Sequence, residues 1–362
     1  MAMGPHLAIS TRFRPAGSFA GWLLSCGIVL AAAEGADHVG EFMYESPGST
    51  DPTLDVYTSD DGLLSGAPTV LYIHGGGWYS GDKAWDVPIY SPIADARYGV
   101  VACNYTLSAD MMPSYPQVVH DVKAVVRWIR TEGVSLGLSP TIIVSGPSAG
   151  GHLCEFLGAT DGIEAFEPLP APMQGYAVQA CLPVSGLCDF VQQVETGGNT
   201  GPFSQLLGGP LGGDTMDTYT EASPITWVTS DDAPMRHLHG TNDPIHDVEQ
   251  AHLMHEALTA EGVHSQLDVF VGGHGFSDYV YEGLSGLEAY VAAVANESPV
   301  LLAAGRTGDV DLDQSIGVDD LLLLLAAWGD CPELPVDCPA DIDGSGSVGV
   351  DDALALLAAW TG

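Results

Sequence analysis

Basic residues are what this sequence most lacks: 362 residues carry 9 Lys and Arg against 47 Asp and Glu, a formal charge of −38. A surface that acidic repels phosphate backbones, which argues against nucleic-acid binding, and it repels anionic lipid headgroups in the same way. Charged residues as a whole are also sparse at 15%, against 46% hydrophobic. The chain is therefore no disordered polyelectrolyte and has the apolar surface to build a large core. Glycine is plentiful, at 45 residues, but without a three-residue period, so a collagen-like rod is excluded. The length suggests roughly two domains.

Charge is missing altogether from most of the amino terminus. Arg12 and Arg14 are the only charged residues before Glu34, and they precede an apolar run, Ala16 to Ala33, that ends in three alanines. That order describes a secretory signal, residues 1–33, cleaved after Ala33. The run continues seven residues past Cys26, which favours cleavage there over lipid anchoring at Cys26. After cleavage no membrane span is expected, and the location expected is extracellular or at a bacterial cell surface. Six cysteines remain: Cys103, Cys154, Cys181, Cys188, Cys331 and Cys338. Cys331 with Cys338 is the best local pair, Cys181 with Cys188 a weaker one, and Cys103 and Cys154 read as buried free thiols.

From residue 34 to 298 short apolar runs alternate with helical patterns. Thr69–Ile73, Val100–Ala102, Thr141–Val144, Met235–His239 and Leu267–Val271 read as strands. Val118, Val122, Val125, Val126 and Ile129 recur at helical spacing over Val118–Arg130, and further helices are expected after Ser148 and over Val248–Glu261. Alternation of this kind implies an α/β domain, a mostly parallel sheet with helices on both faces.

Four motifs sit at the ends of those strands. Gly-x-Ser-x-Gly occurs twice, around Ser135 and around Ser148. A nucleophilic serine needs a tight strand-to-helix turn, and glycines two residues either side permit it. Gly133–Gly137 follows a helix and reads as a helix stop, whereas Gly146-Pro147-Ser148-Ala149-Gly150 follows a strand and opens a helix, so context selects Ser148. His74-Gly75-Gly76-Gly77-Trp78 ends another buried strand, and consecutive glycines let backbone N–H groups approach a developing oxyanion. Gly76, Gly77 and Ala149 are the expected donors. His239-Gly240-Thr241-Asn242-Asp243-Pro244 and Gly272-Gly273-His274-Gly275 close later strands, in the order Ser, Asp, His. Of twelve histidines, only His274 follows the last strand in a Gly-rich loop. Asp243 is the expected acid, with Asp247 the serious rival. The Gly-rich segment from Glu195 to Thr220 has no clear period and is expected to wall the pocket.

With these residues in view, the region from Leu71 to Ala295 resembles the α/β-hydrolase esterase and lipase families, most closely the feruloyl-esterase-like carboxylesterases. The resemblance implies a Ser148-Asp243-His274 triad acting through an acyl-enzyme on short-chain or hydroxycinnamoyl esters, with no cofactor for catalysis. Kynurenine formamidases share the oxyanion loop and triad order; a signal segment and an appended module argue against that amide-hydrolase role. A non-catalytic surface or binding protein on the same fold has no need to keep all three residues.

The last segment, residues 305–362, is of another kind. From Thr307 onward it holds 12 acids and no base, and Ser315–Trp328 repeats as Ser347–Trp360 with 11 of 14 residues identical. Asp309, Asp311, Asp313, Ser315 and Asp320 space oxygen ligands as a Ca²⁺ loop does, and Asp341, Asp343, Ser345, Ser347 and Asp352 repeat the spacing. Each loop is followed by a Leu/Ala helix, so a small all-α, duplicated calcium module is expected. It resembles a dockerin, which implies a cohesin-like partner and a polysaccharide-linked ester substrate. Gly317 and Gly349 stand at the ninth loop position, where a side-chain oxygen is usual, and Ser345 replaces an acid.

Overall fold

The computed structural model describes residues 36–109, 112–168, 175–198 and 200–275, with 325, 329–330, 347–350 and 353 near the carboxyl terminus. Eight strands form one sheet: β1 Ala36–Met43, β2 Thr53–Ser59, β3 Thr69–Ile73, β4 Gly99–Cys103, β5 Ile142–Pro147, β6 Ala180–Val184, β7 Met235–Gly240 and β8 Ser265–Phe270. Their order across the sheet is β1-β2-β4-β3-β5-β6-β7-β8. β1 pairs with β2 and β2 with β4 antiparallel; every pairing from β4 through β3 to β8 is parallel.

The parallel strands have short apolar sequences because both of their faces are covered. Along β3, Leu71 and Ile73 enter one core while Val70 and Tyr72 enter the other. The first core takes the valine stripe of α2 (Gln117–Thr131) together with Leu153, Phe156 and Leu157 of α3 (Ala149–Ala159). The second takes Tyr90, Ile93 and Ala94 from α1 (Val87–Asp95). Three short helices, α4 (Phe190–Glu195), α5 (Phe203–Leu207) and α6 (Met216–Glu221), lie between β6 and β7, and α7 (Glu249–Glu261) joins β7 to β8.

Cys103, Cys154, Cys181 and Cys188 are all buried and free. The expected Cys181–Cys188 pair is therefore corrected. The Cys181 thiol donates to Cys154 O and the Cys188 thiol to Gln250 O, so the two point to different neighbours.

The signal segment, Cys26, the Cys331–Cys338 pair and the boundary between residues 298 and 305 lie outside the described residues. So do all the expected calcium ligands except Ser347, which with Val348 pairs antiparallel to Gly329–Asp330. Among the described residues, no helix is long and apolar enough to cross a membrane.

Candidate active site

Each motif lies where a strand of the parallel sheet gives way to a loop or helix. Ser148 sits between β5 and α3 with φ 59° and ψ −117°, a region an L-residue occupies only when its surroundings enforce it. Two contacts enforce it: Ser148 N–H donates to Val184 O on β6 (2.8 Å), and Ser148 O accepts from His152 N–H (2.9 Å). The flanking glycines are demanded by space. A Cβ on Gly146 would lie 2.1 Å from Ile73 O, and one on Gly150 would lie 2.0 Å from the same oxygen. The end of β3 is thus pressed onto the elbow, and the loop that follows carries the glycine triplet.

That loop passes directly beside the serine. A Cβ on Gly75 would stand 3.5 Å from Ser148 Cβ. Gly76, Gly77 and Trp78 follow with φ of 118°, 62° and 61°. The Gly76 carbonyl accepts from Ser80 N–H and Ser80 Oγ–H (3.1 and 2.8 Å). Among the described residues, the N–H groups of Gly76, Gly77 and Ala149 donate to no protein acceptor; for Ala149 this follows from its place as first residue of α3. His74 is buried and stacked on Tyr105 with ring centroids 4.3 Å apart, and burial lowers its pKa from the ordinary histidine value.

Asp243 and His274 meet across the ends of β7 and β8. His274 Nδ1–H donates to Asp243 Oδ2 at 2.7 Å. Asp243 Oδ1 accepts from the N–H groups of Ile245 and His246 at 2.8 and 3.0 Å. Its side chain is wholly covered. Burial alone would raise the Asp243 carboxyl, but the hydrogen bonds from His239 and His274, the His274 charge and the Ile245 N–H hold it well below the usual carboxylate range. An ionised carboxylate only accepts, so the proton of a neutral His274 sits on Nδ1 and Nε2 is left as a base. Among the described residues, Ser148 Oγ makes no hydrogen bond, and the residue is partly buried.

The rival residues fall elsewhere. Asp247 Oδ1 accepts from Glu249 N–H at the start of α7. Ser135 lies in a 3-10 turn, Gly133–Leu136, closed by Gly137 at φ 85°. The segment from Glu195 to Thr220 does reach the loop: Pro202 Cγ would lie 3.4 Å from a Cβ on Gly77, and the Phe203 ring is 5.9 Å from that of Trp78.

Four polar side chains at the site were not singled out by motif. His239 Nε2 is 3.4 Å from Asp243 Oδ2 and bonded to His246 O at 3.1 Å. The His246 ring stands edge-on to His274 with centroids 5.1 Å apart, and its Nδ1–H donates to Ser185 O. Burial, then the His274 charge, pushes His246 down to about 3. Ser185 Oγ accepts from Gly275 N–H at 3.1 Å, which ties the histidine loop to the end of β6. His152, on the first turn of α3, accepts from the Trp78 indole. The only signal for His239 and His152 in the sequence was their place at the edge of a glycine motif.

A parallel sheet with helices on both faces, a strained serine at a strand-to-helix elbow, and a histidine–aspartate pair on later loops together define an α/β-hydrolase. Residues 54–258 match the BD-FAE family, and the chain belongs to it. The probable carboxylic ester hydrolase LipM of Mycobacterium tuberculosis (strain ATCC 25618 / H37Rv) is 31% identical over 59% of this chain and 50% of its own. Esterase LipQ of the same strain is 28% identical over 60% of this chain and 52% of its own. The chain thus spans about half the length of these curated relatives. Among solved structures, a truncated form of a carbohydrate esterase from gut microbiota shares the fold, with a TM-score of 0.59, 20% identity, and coverage of 72% of this chain and 97% of the other.

Proposed function

We propose that this chain is a secreted serine carboxylesterase that removes small acyl or hydroxycinnamoyl groups from polysaccharides. The observation that carries the reading is the Asp243–His274 hydrogen bond, which presents a base at the strand ends where Ser148 stands on its strained elbow. His274 Nε2 takes the Ser148 proton as Oγ attacks the ester carbonyl. The tetrahedral oxyanion is held by N–H groups of Gly76, Gly77 and Ala149. His274 then returns the proton to the departing alcohol, leaving Ser148 acylated. Water, deprotonated by the same nitrogen, releases the acid and restores Ser148. Asp243, held ionised, orients His274 and stabilises its cation.

The substrate class rests on the family and on the duplicated Ca²⁺ loops, whose carboxylates at alternate positions suit a hard cation. Those loops are proposed to bind two Ca²⁺ ions and to dock the enzyme to a cohesin-like or cell-surface partner. The test is a pair of variants assayed on p-nitrophenyl acetate, methyl ferulate and acetylated xylan, with an emulsified long-chain triglyceride as the contrast. Ser148→Ala is expected to lose activity by orders of magnitude, as removal of a triad nucleophile does, and Ser135→Ala to keep it. A dead Ser135 variant beside an active Ser148 variant overturns the mechanism; preference for the emulsion overturns the substrate class alone.

A further inference from the structure

The two glycine motifs each end in a buried residue, Trp78 after His-Gly-Gly-Gly and His152 after Ser-Ala-Gly-Gly, and these two residues touch. The Trp78 indole N–H donates to His152 Nδ1 at 3.2 Å, with the rings edge-on at 5.3 Å. His152 Nε2–H donates in turn to Ala222 O at 2.9 Å, after α6. Both residues are fully covered. The arrangement requires a neutral imidazole, protonated on Nε2 only. Burial supplies it, pushing His152 down to about 4.

Trp78 also bears an unusual backbone. It is the third consecutive residue in the left-handed region, after Gly76 and Gly77. The glycines adopt it freely, whereas a bulky L-residue holds it only where its side chain and neighbours fix it in place. Two anchors do so: Trp78 O accepts from Ser108 N–H at 2.7 Å, and the indole is bound to His152. Because His152 N–H donates to Ser148 O, the second anchor belongs to the nucleophile's own helical turn.

We propose that the Trp78–His152 hydrogen bond is a positioning contact that holds the Gly76 and Gly77 N–H groups in place relative to Ser148 and the Ala149 N–H. This rests on the reading of Ser148 as nucleophile and of those N–H groups as the oxyanion site. A purely structural contact would affect stability and leave turnover alone. A positioning contact affects the step in which charge develops on the substrate oxygen, hence kcat, and leaves ground-state binding nearly unchanged.

The experiment uses the full chain with p-nitrophenyl acetate and a trifluoromethyl ketone, which adds to the active serine as a tetrahedral mimic. Trp78→Phe keeps the ring and removes the donor; His152→Leu removes the acceptor; His152→Gln restores an acceptor and a donor. Each of the first two is expected to lower kcat by about tenfold to hundredfold, less than outright loss of an oxyanion donor. KM should stay within about threefold, and affinity for the ketone should fall in step with kcat. The double variant should be no worse than the poorer single one, because both remove the same bond. His152→Gln should recover most of the loss. Full kcat in folded Trp78→Phe, multiplying losses in the double variant, or no rescue by glutamine would each overturn the proposal. Should His152→Leu fail to fold, Trp78→Phe decides alone. Failure of the underlying reading has a separate signature: Ser148→Ala would remain active and still bind the ketone.

Discussion

Gly150→Ala brings two physical effects into opposition at one position. Gly150 is the second residue of α3, and intrinsic propensity favours alanine over glycine inside a helix by roughly 0.8–1 kcal/mol. Space opposes it. The new Cβ would lie 2.0 Å from Ile73 O, 2.9 Å from Ile73 C and 3.0 Å from His74 O. Carbon–oxygen contacts of this kind settle near ~3.3 Å, so either the end of β3 or the start of α3 must retreat by more than 1 Å. The obstacle is backbone on both sides, without a flexible side chain that could swing away. Overpacking typically costs about 1–3 kcal/mol, which exceeds the propensity gain at most of that range. The functional effect is larger, because the retreat separates the glycine loop from Ser148, and a displacement near 1 Å costs about a hundredfold in rate. Gly137→Ala is the control: its φ is +85° with nothing within 4 Å of the added carbon. It should lose about 1–2 kcal/mol to left-handed strain and nothing in kcat. Urea denaturation and p-nitrophenyl acetate turnover read the two quantities. A Gly150→Ala enzyme that is both stabilised and fully active would refute the reasoning.

Other outcomes follow from groups outside the catalytic steps. Glu155, buried on α3 with Oε2 unpartnered, is raised by burial to about 8. A raised acid stabilises the fold fully below its unfolded value of about 4.3 and loses that contribution as pH rises to about 8. Glu155→Gln should therefore match the wild type near pH 4 and exceed its stability by a growing margin toward pH 8, by about 1.4 kcal/mol per pH unit at most; parallel stability curves from denaturant titrations would refute it. Cys103, Cys154 and Cys188, whose thiols burial pushes up, should resist iodoacetamide in the native protein and react once it is unfolded, as read by peptide mass spectrometry. Addition of Ca²⁺ to chelator-treated full-length protein should bind with measurable heat and shift the fluorescence of Trp328 and Trp360 while leaving p-nitrophenyl acetate turnover unchanged; no heat and no shift would leave the repeats a plain acidic tail.

Several features were legible because the chemistry behind them is local. β3, β4 and β5 are covered on both faces, which requires near-continuous apolar sequence, and such runs are conspicuous in a chain this acidic. The valine stripe of α2 has to lie on one side of a helix that packs against the sheet. Ser148 could be chosen over Ser135 because an elbow needs a strand before it. Other elements left no such trace. β6 contains Pro183, which ordinarily demotes a strand to an edge, yet β6 lies between β5 and β7 with Pro183 opposite Gly146. β1 is largely exposed and pairs antiparallel with β2 at the sheet edge, so it carries no buried run.

Local pattern alone thus determined a parallel α/β sheet, the strand-to-helix turn at Ser148, the glycine loop and the loops bearing Asp243 and His274, since each follows from what a few adjacent residues can do sterically. Tertiary structure decided which groups meet. Asp243 and Asp247 are four residues apart in one loop, and nothing in their spacing separates them; the pairing of β7 with β8 turns Asp243 toward His274, 31 positions away, and leaves Asp247 to accept from the first N–H of α7. The free state of Cys181 and Cys188, the second partner His239 gives Asp243, and the bond from Trp78 to His152 were decided in the same way. Hydrogen bonds reach about 3 Å and hold only between particular atoms, so contacts between distant residues exist only once the sheet has brought its loops together.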